Sequence, residues 1–192
     1  MRILAGEYKG RKLLPPPGRA QTRPITGSVK KSLFGMLGDR LIDAVVVDLY
    51  CGTGTIGLEA MSRGAARCYF AERDRAVLER LRRNIDAVGV ADRCAVWAGD
   101  AARGLTRRLA GAGGAVDLAF VDPPYAQSRQ WSWDRVGRTV FAPLAEHLAD
   151  DGLVVLRLPG QVECPATVKG LEIVRERKYG DMALALLGRE DR

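Results

Sequence analysis

Histidine, paired cysteines and long apolar runs are what this chain has least of. It carries one histidine, His147, and four cysteines, Cys51, Cys68, Cys94 and Cys164, none of them in a C-x-x-C pair. That excludes the common zinc arrangements and a disulfide-stapled scaffold. No charge-free apolar stretch reaches the ~18 residues of a membrane span. Arg2 is followed by no long apolar segment, so no secretory leader is expected. Internal repeats and low-complexity tracts are also missing. What remains is globular material: 192 residues, 47% of them hydrophobic, enough for one domain with a sizeable core. A cytoplasmic monomer is the natural expectation.

Charge is present but lopsided. The net value is +7, and residues 1–40 hold nine basic side chains (Arg2, Lys9, Arg11, Lys12, Arg19, Arg23, Lys30, Lys31, Arg40) against Glu7 and Asp39. The remaining 152 residues carry 21 basic and 21 acidic groups, so the whole excess lies in the leading fifth. Focused positive charge favours a polyanion and steers its approach, whereas a merely solvated surface would spread it. Nucleic acid is the expected partner, with Arg2, Lys9, Arg11, Lys12, Lys30 and Lys31 as expected contacts.

The chain is organised around residues 45–57. Val45-Val46-Val47 ends in Asp48, and Leu49-Tyr50-Cys51-Gly52-Thr53-Gly54 leads into Thr55-Ile56-Gly57. This reads as a buried parallel strand feeding a tight turn and a helix. Gly52 and Gly54 let the backbone bend and a ligand approach. The helix start behind them supplies unpaired N–H groups at a positive dipole end. Gly52, Gly54 and Gly57 formally spell G-x-G-x-x-G, and Glu72 follows Gly52 by 20 residues, as in a dinucleotide fold. A carboxylate at Asp48 would repel a pyrophosphate, however, and attract a ligand with sulfonium and α-ammonium groups. The D-x-x-x-G-x-G form resembles the cofactor loop of S-adenosylmethionine (AdoMet) dependent methyltransferases. A tight turn with no ligand is the simpler alternative for the loop alone.

In chain order, residues 2–6 and 10–14 read as a basic β-hairpin, and Pro15-Pro16-Pro17-Gly18 as a linker. Val29, Leu33, Met36 and Leu37 predict an amphipathic helix over 28–38, capped by Thr26 or Ser28, with Lys30 and Lys31 outward. Strands and helices then alternate. Strand 44–48 precedes helix 55–64, strand 66–71 precedes helix 74–88, and a strand near 93–97 precedes helix 101–110. Strand 116–121 runs into Asp122-Pro123-Pro124-Tyr125, followed by a loop over 126–133 and helix 135–149. Strands 152–158, 171–178 and 182–187 close the chain. Seven strands ending in an antiparallel hairpin suit a doubly wound α/β sheet. Residues 1–40 form a basic extension with a helix, and 41–192 the main domain.

Ligands bind where the carboxyl ends of parallel strands converge. Four consecutive strands end in an acid there: Asp48, Glu72, Asp100 and Asp122. All four could be helix caps. As ligand contacts, Asp48 would meet a methionyl group, Glu72 a ribose diol, and Asp100 with the Ala101 backbone an adenine amino group. Tyr50 and Arg73, adjoining these acids, belong to the same expected site. Asp122-Pro123-Pro124-Tyr125 is the sharpest signal. Two prolines make the turn rigid and leave the Pro123 carbonyl to face a site. A carboxylate and a fixed carbonyl together accept both hydrogens of an exocyclic amine, orienting its lone pair and stabilising developing positive charge. Tyr125 offers a face on which a base can stack. A proline turn with a core tyrosine is the alternative.

D-P-P-Y after the fourth strand, with the glycine loop after the first, resembles amino-group methyltransferases acting on nucleic-acid bases. Arg2-Ile3-Leu4-Ala5-Gly6, Gly10-Arg11-Lys12-Leu13, Thr22-Arg23-Pro24-Ile25-Thr26 and Lys31-Ser32-Leu33-Phe34 narrow the match. They are similar to the opening of the 16S ribosomal RNA guanine-N2 methyltransferase family (RsmD-like), and the similarity runs essentially end to end. Gly27-Ser28 departs from it, where Asp is common. The resemblance implies a Rossmann-like class I methyltransferase with AdoMet as cofactor. It implies 16S rRNA or the small ribosomal subunit as partner, Arg23 and Phe34 near the cofactor, the hairpin on RNA, and Asp122, Pro123 and Tyr125 at the reacting amine. A stacked guanine cannot reach a buried donor, so the base must flip out. Gln127, Arg129, Gln130 and the two tryptophans, Trp131 and Trp133, are candidates for the pocket wall, the tryptophans equally for the core. Adenine-N6 methylation of DNA is a competing reading, opposed by the absence of room for a target-recognition insertion. A non-catalytic RNA-binding protein is another, opposed by the intact loop and D-P-P-Y.

Overall fold

The computed structural model describes residues 1–18 and 25–190. Five parallel strands come first: β1 (Val45–Leu49), β2 (Arg67–Glu72), β3 (Cys94–Ala98), β4 (Val116–Val121) and β5 (Leu148–Pro159). Three antiparallel ones finish the sheet: β6 (Thr167–Val168), β7 (Leu171–Tyr179) and β8 (Met182–Arg189). Their order across the sheet is β3-β2-β1-β4-β5-β8-β7-β6. The described residues therefore form eight strands and not seven. The extra strand is the two-residue β6, too short to carry any period of its own.

Helices α1 (Gly27–Leu37), α2 (Gly57–Ser62), α3 (Arg75–Val88), α4 (Leu105–Ala110), α5 (Tyr125–Ser128), α6 (Trp133–Val136) and α7 (Ala142–His147) complete the fold. Strand alternation sends side chains to opposite faces. Val46 of β1 joins a core with Leu33, Leu58 and Leu81, while Val47 and Leu49 join another with Leu105, Val140 and Leu144. The sheet is thus covered on both sides, as a doubly wound fold requires. None of the described helices is long and apolar enough to cross a membrane.

Three departures from the sequence expectation have local causes. The helix expected over 135–149 is split by a π-helical turn at Gly137–Phe141. Pro143 lies in the first turn of α7, where it has no N–H to donate backwards and its ring crowds the preceding turn. The loop at 126–133 begins as helix α5, because the Pro124 carbonyl accepts from the amides of Gln127 and Ser128. Helix α4 starts at Leu105 and not at 101: Asp100 Oδ1 accepts from the amides of Ala102 and Arg103, and Gly104 is left-handed.

The N-terminal hairpin is short: around the antiparallel bridge of Arg2 with Lys12, the amides of Ile3, Gly10 and Leu13 donate to the carbonyls of Arg11, Ile3 and Met1 at 3.0, 2.9 and 2.9 Å. The donors of its turn side go to α2. The amides of Leu4 and Ala5 donate to the two carboxylate oxygens of Glu59 at 2.8 and 3.0 Å, and those of Glu7 and Tyr8 to the carbonyl and hydroxyl of Ser62. Leu14 exchanges two hydrogen bonds with Asn84, whose amide also reaches the Thr53 carbonyl. Ile3 and Leu13 are buried in the α2–α3 core. The buried side chains of Ile3, Leu13, Val29, Leu33, Phe34 and Leu37 share one core with those of α2 and α3.

Lys30 corrects the expectation of an outward face on α1. It is 5% exposed, and its ammonium lies 2.9 Å from Glu59, whose other oxygen takes Arg63 at 2.9 Å. Lys31 is exposed as expected, and Thr26 caps α1.

The arm sits so close to α2 that Gly6 tolerates no side chain. Its φ is +83°, and a Cβ there would lie 1.7 Å from the Ser62 carbonyl oxygen. Gly6→Ala is expected to lower unfolding free energy by roughly 2–4 kcal/mol in urea titrations. An unchanged midpoint would mean that the arm does not dock in solution.

Candidate active site

A cleft enclosing about 860 Å³, counted out to its open mouth, lies at the carboxyl ends of β1, β2 and β4. There the strand order reverses between β1 and β4, the topological switch point where doubly wound folds hold ligands. The tip of β1 contributes Tyr50, Cys51, Gly52 and Thr53, and β2 contributes Glu72 and Arg73. Asp100 and Ala101 come from beyond β3, and Asp122, Pro123 and Tyr125 from beyond β4. Met1, Pro16 and Ile25 close the rim.

Each acid is placed differently. Asp48 is fully buried beneath the loop and does not line the cleft; Oδ2 accepts from the Gly57 amide at 2.9 Å, and Oδ1 has no hydrogen-bond partner among the described residues. Burial pushes its pKa up to about 8, opposed by the Gly57 hydrogen bond and reinforced by the charges of Asp122 and Glu72. Glu72 lines the cleft while accepting from the amides of Gly52, Arg73 and Asp74 at 3.1, 2.7 and 2.9 Å. Asp100 caps the following turn and reaches the cleft too.

Asp122 has a partner that sequence reading missed. Arg157 Nε, near the carboxyl end of β5, donates to Asp122 Oδ1 at 2.6 Å, with the two side chains 8% and 14% exposed. The guanidinium also lies 5.5 Å from the centre of the Tyr125 ring. Burial pushes the Asp122 carboxyl up and Arg157 opposes it, leaving it above its ordinary range. A lone arginine in the apolar run Leu153–Leu158 was the available signal, since a buried charge needs a partner.

The β1 loop is strained in the same place. Tyr50 has φ +60°, a conformation that few residues other than glycine adopt. Burial, with the Asp100 charge, pushes its phenol up to about 12, Gln127 and Arg73 opposing.

Besides Asp48, four expected site residues are placed otherwise or not described. Phe34 is 1% exposed in the α1 core, 6.0 Å from the ring of Phe120, and does not line the cleft. The helix that carries it presents an apolar face to the sheet, and Phe34 lies on that face. Gly54 faces the core: a Cβ there would meet Leu81 at 2.6 Å, whereas at Gly52 it would meet nothing. Lys30, expected on RNA, is the buried partner of Glu59. Arg23 lies outside the described residues. Arg2, Lys9, Arg11 and Lys12 are exposed. Trp131 and Trp133 pack against Phe141 with ring centres 6.4 and 6.1 Å away, half-buried beside the cleft and not in it.

A family model described as "conserved hypothetical protein 95" matches residues 1–188. The chain belongs to this family. It is the RsmD-like family to which the motifs pointed. The Escherichia coli (strain K12) protein named ribosomal RNA small subunit methyltransferase D is 31% identical over 192 residues, covering 99% of this chain and 90% of the relative. The Bacillus subtilis (strain 168) protein YlbH is 32% identical over 191 residues, 97% of each chain. Among solved structures, the Thermus thermophilus protein TTHA0928 superimposes with a TM-score of 0.79 at 27% identity, covering 98% of this chain and 99% of that one. The fold is that of class I methyltransferases, which implies AdoMet as the methyl donor.

Asp48 makes a pH prediction. Its folded pKa exceeds the unfolded value of 3.8, so the folded state keeps a proton that the unfolded state loses as pH rises. Its contribution to stability is complete below about pH 4 and lost progressively up to about pH 8, by several kcal/mol at most. In urea titrations of the ligand-free protein, Asp48→Asn should flatten stability between pH 5 and 8 relative to the parent. Parallel curves would mean that Asp48 is already ionised in the fold.

Proposed function

We propose that this protein transfers a methyl group from AdoMet to the exocyclic N2 of a guanine in 16S rRNA, acting on small-subunit particles. The observation that carries the reading is the Asp122-Pro123-Pro124-Tyr125 turn opening into the same cleft as Gly52 and Glu72. The E. coli relative, a small-subunit rRNA methyltransferase by name, supports the choice of target.

The residues fit an AdoMet molecule, which would supply an electrophilic methyl group. Oδ1 of Asp48 and Oγ1 of Thr53 are buried without a hydrogen-bond partner among the described residues; Thr53 lines the cleft where the methionyl end would lie, and Asp48 would act on it from beneath the loop. Gly52 leaves open space over the loop. Glu72 would take the ribose hydroxyls, Arg73 would flank them, and Asp100 with the Ala101 backbone would take the adenine. Tyr50 completes that half of the cleft.

Guanine N2 is a weak nucleophile because its lone pair is delocalised into the ring. Asp122 and the Pro123 carbonyl would accept its two hydrogens, aligning the lone pair and stabilising positive charge as the C–N bond forms. N2 would supply the electron pair of the new C–N bond, the C–S pair would remain with the donor's sulfur, and the proton lost from N2 would pass to the Asp122 carboxylate. Arg157 fixes Asp122 through one oxygen, leaving the other for the amine. A carboxylate held above its ordinary pKa is also a better proton acceptor. Tyr125 would stack on the flipped base. Arg2, Lys9, Arg11, Lys12 and Lys31 would meet the RNA backbone.

Incubation with AdoMet and small-subunit particles lacking the modification should yield N2-methylguanosine in nucleoside digests, with naked 16S rRNA a poorer substrate. N6-methyladenosine in place of it would overturn the base assignment. Asp122→Ala should slow transfer ~100-fold or more, on the order of 3 kcal/mol, while calorimetric AdoMet affinity holds. Near-normal turnover would remove Asp122 from the reaction.

Charge on the arm makes a separate prediction. Neutralising Arg2, Lys9, Arg11 and Lys12 should flatten the salt dependence of RNA binding, by ~0.7 in log–log slope for each single-strand phosphate that is no longer neutralised. AdoMet affinity should be unchanged. Equal slopes for variant and parent would take the arm off the RNA.

A further inference from the structure

A second cavity adjoins the reaction cleft, enclosing about 1210 Å³ out to its mouth. The two share Tyr50, Asp100 and Gln127, and Gln127 lies only two residues along the chain from Tyr125. Its other walls come from the turn after β3, through Arg103, and from the α5–α6 segment, through Trp131 and Arg135.

The chemistry of these walls is that of an anion site with an aromatic floor. Arg103 and Arg135 are exposed, and neither forms an ion pair among the described residues. That separates them from Lys30, Arg40, Arg63, Arg138 and Arg157, each of which has a carboxylate. The one carboxylate in the lining, Asp100, already accepts from the amides of Ala102 and Arg103. Trp131 is held by two edge-on neighbours, Trp133 at 83° and Phe141 at 84°, so its indole is fixed at the wall at little further entropic cost.

We propose that this cavity binds the nucleotide adjacent to the target guanine, with its phosphate on Arg103 and Arg135 and its base against Trp131. The proposal rests on the RNA methyltransferase reading. A base leaving its stack brings its neighbours to the mouth of the cleft, and single-stranded RNA is recognised by stacking on aromatics and by cationic contacts to its backbone. The cavity's continuity with the cleft beside Tyr125 sets the required spacing. A cofactor adenosine is the competing occupant, but it carries no anion for two guanidinium groups.

The experiment compares parent, Arg103→Gln/Arg135→Gln and, as a charge control, Arg107→Gln on the exposed side of α4. Each is assayed for methylation of small-subunit particles and naked 16S rRNA, for salt dependence of RNA binding, and for AdoMet affinity by calorimetry. The double variant should raise KM for RNA about tenfold or more, reduce the salt slope, and leave kcat and AdoMet affinity near parental values, while Arg107→Gln changes little. Weakened AdoMet binding in the double variant would give the cavity to the cofactor and overturn the proposal. So would an equal loss from Arg107→Gln, which would mean diffuse charge, or parental behaviour throughout. The parent's own activity judges the RNA reading: no methylation of either RNA by the parent would fell that reading and the subsite with it, whereas an active parent with an indifferent double variant fells the subsite alone.

Discussion

The buried carboxylate of Glu59 is the point on which the N-terminal part of the structure depends. It is completely inaccessible, yet it receives the amides of Leu4 and Ala5, the ammonium of Lys30 and the guanidinium of Arg63. Burial alone would raise its pKa, but these donors outweigh it and hold the carboxyl below its ordinary range. Such a group is stable only with all its partners, since removing one leaves a buried charge uncompensated. The consequence is geometric. The arm's hairpin is clamped onto α2, which takes the amides of Leu4, Ala5, Glu7 and Tyr8, and Met1 and Pro16 reach the rim of the cleft.

Charge in this protein is sorted by depth. In the cleft and beneath its loop the residues that matter are acids near strand tips, and the fold manages their mutual repulsion in three ways. Asp48 is buried with its pKa pushed up, Glu72 is satisfied by backbone amides, and Asp122 is paired with Arg157. A cationic ligand of modest size suits such a site. Outside, exposed arginines and lysines on the arm and beside the second cavity suit a polyanion. Two oppositely charged molecules can therefore meet at one turn, Asp122–Tyr125, without competing for the same surface.

Much of this was legible in the chain itself. Strand β4 occupies the residues expected, α3 begins one residue after its Asp74 cap, and the acids at 72, 100 and 122 line one cleft, with Asp48 buried beneath its loop. Each of these rests on local information: a β-branched run, a capping residue, or a proline pair that leaves the backbone little choice. Errors came where a residue's role depended on a distant partner. Lys30 follows the outward face of a helical pattern, but Glu59, 29 positions away, draws it inward. Phe34 belongs to the apolar stripe of α1, and that stripe meets the sheet and not the cleft.

The sequence by itself determined the doubly wound class, the location of the cleft at the strand tips, and the rigid Asp-Pro-Pro-Tyr turn. These follow from periodicity and from backbone restrictions that act within a few residues. Tertiary structure alone decided that Asp48 would lie under the loop, that Arg157 would hold Asp122, and that Gly54 would face the core while Gly52 faces the cleft. It also decided that Arg103 and Arg135, without an ion pair among the described residues, would border one cavity. Those outcomes depend on which strands become neighbours. Pairing β4 with β5, in register from Leu118 to Val121, sets Asp122 beside the strand segment that ends in Arg157. No local pattern encodes that contact, because the energy that selects it comes from packing the whole sheet.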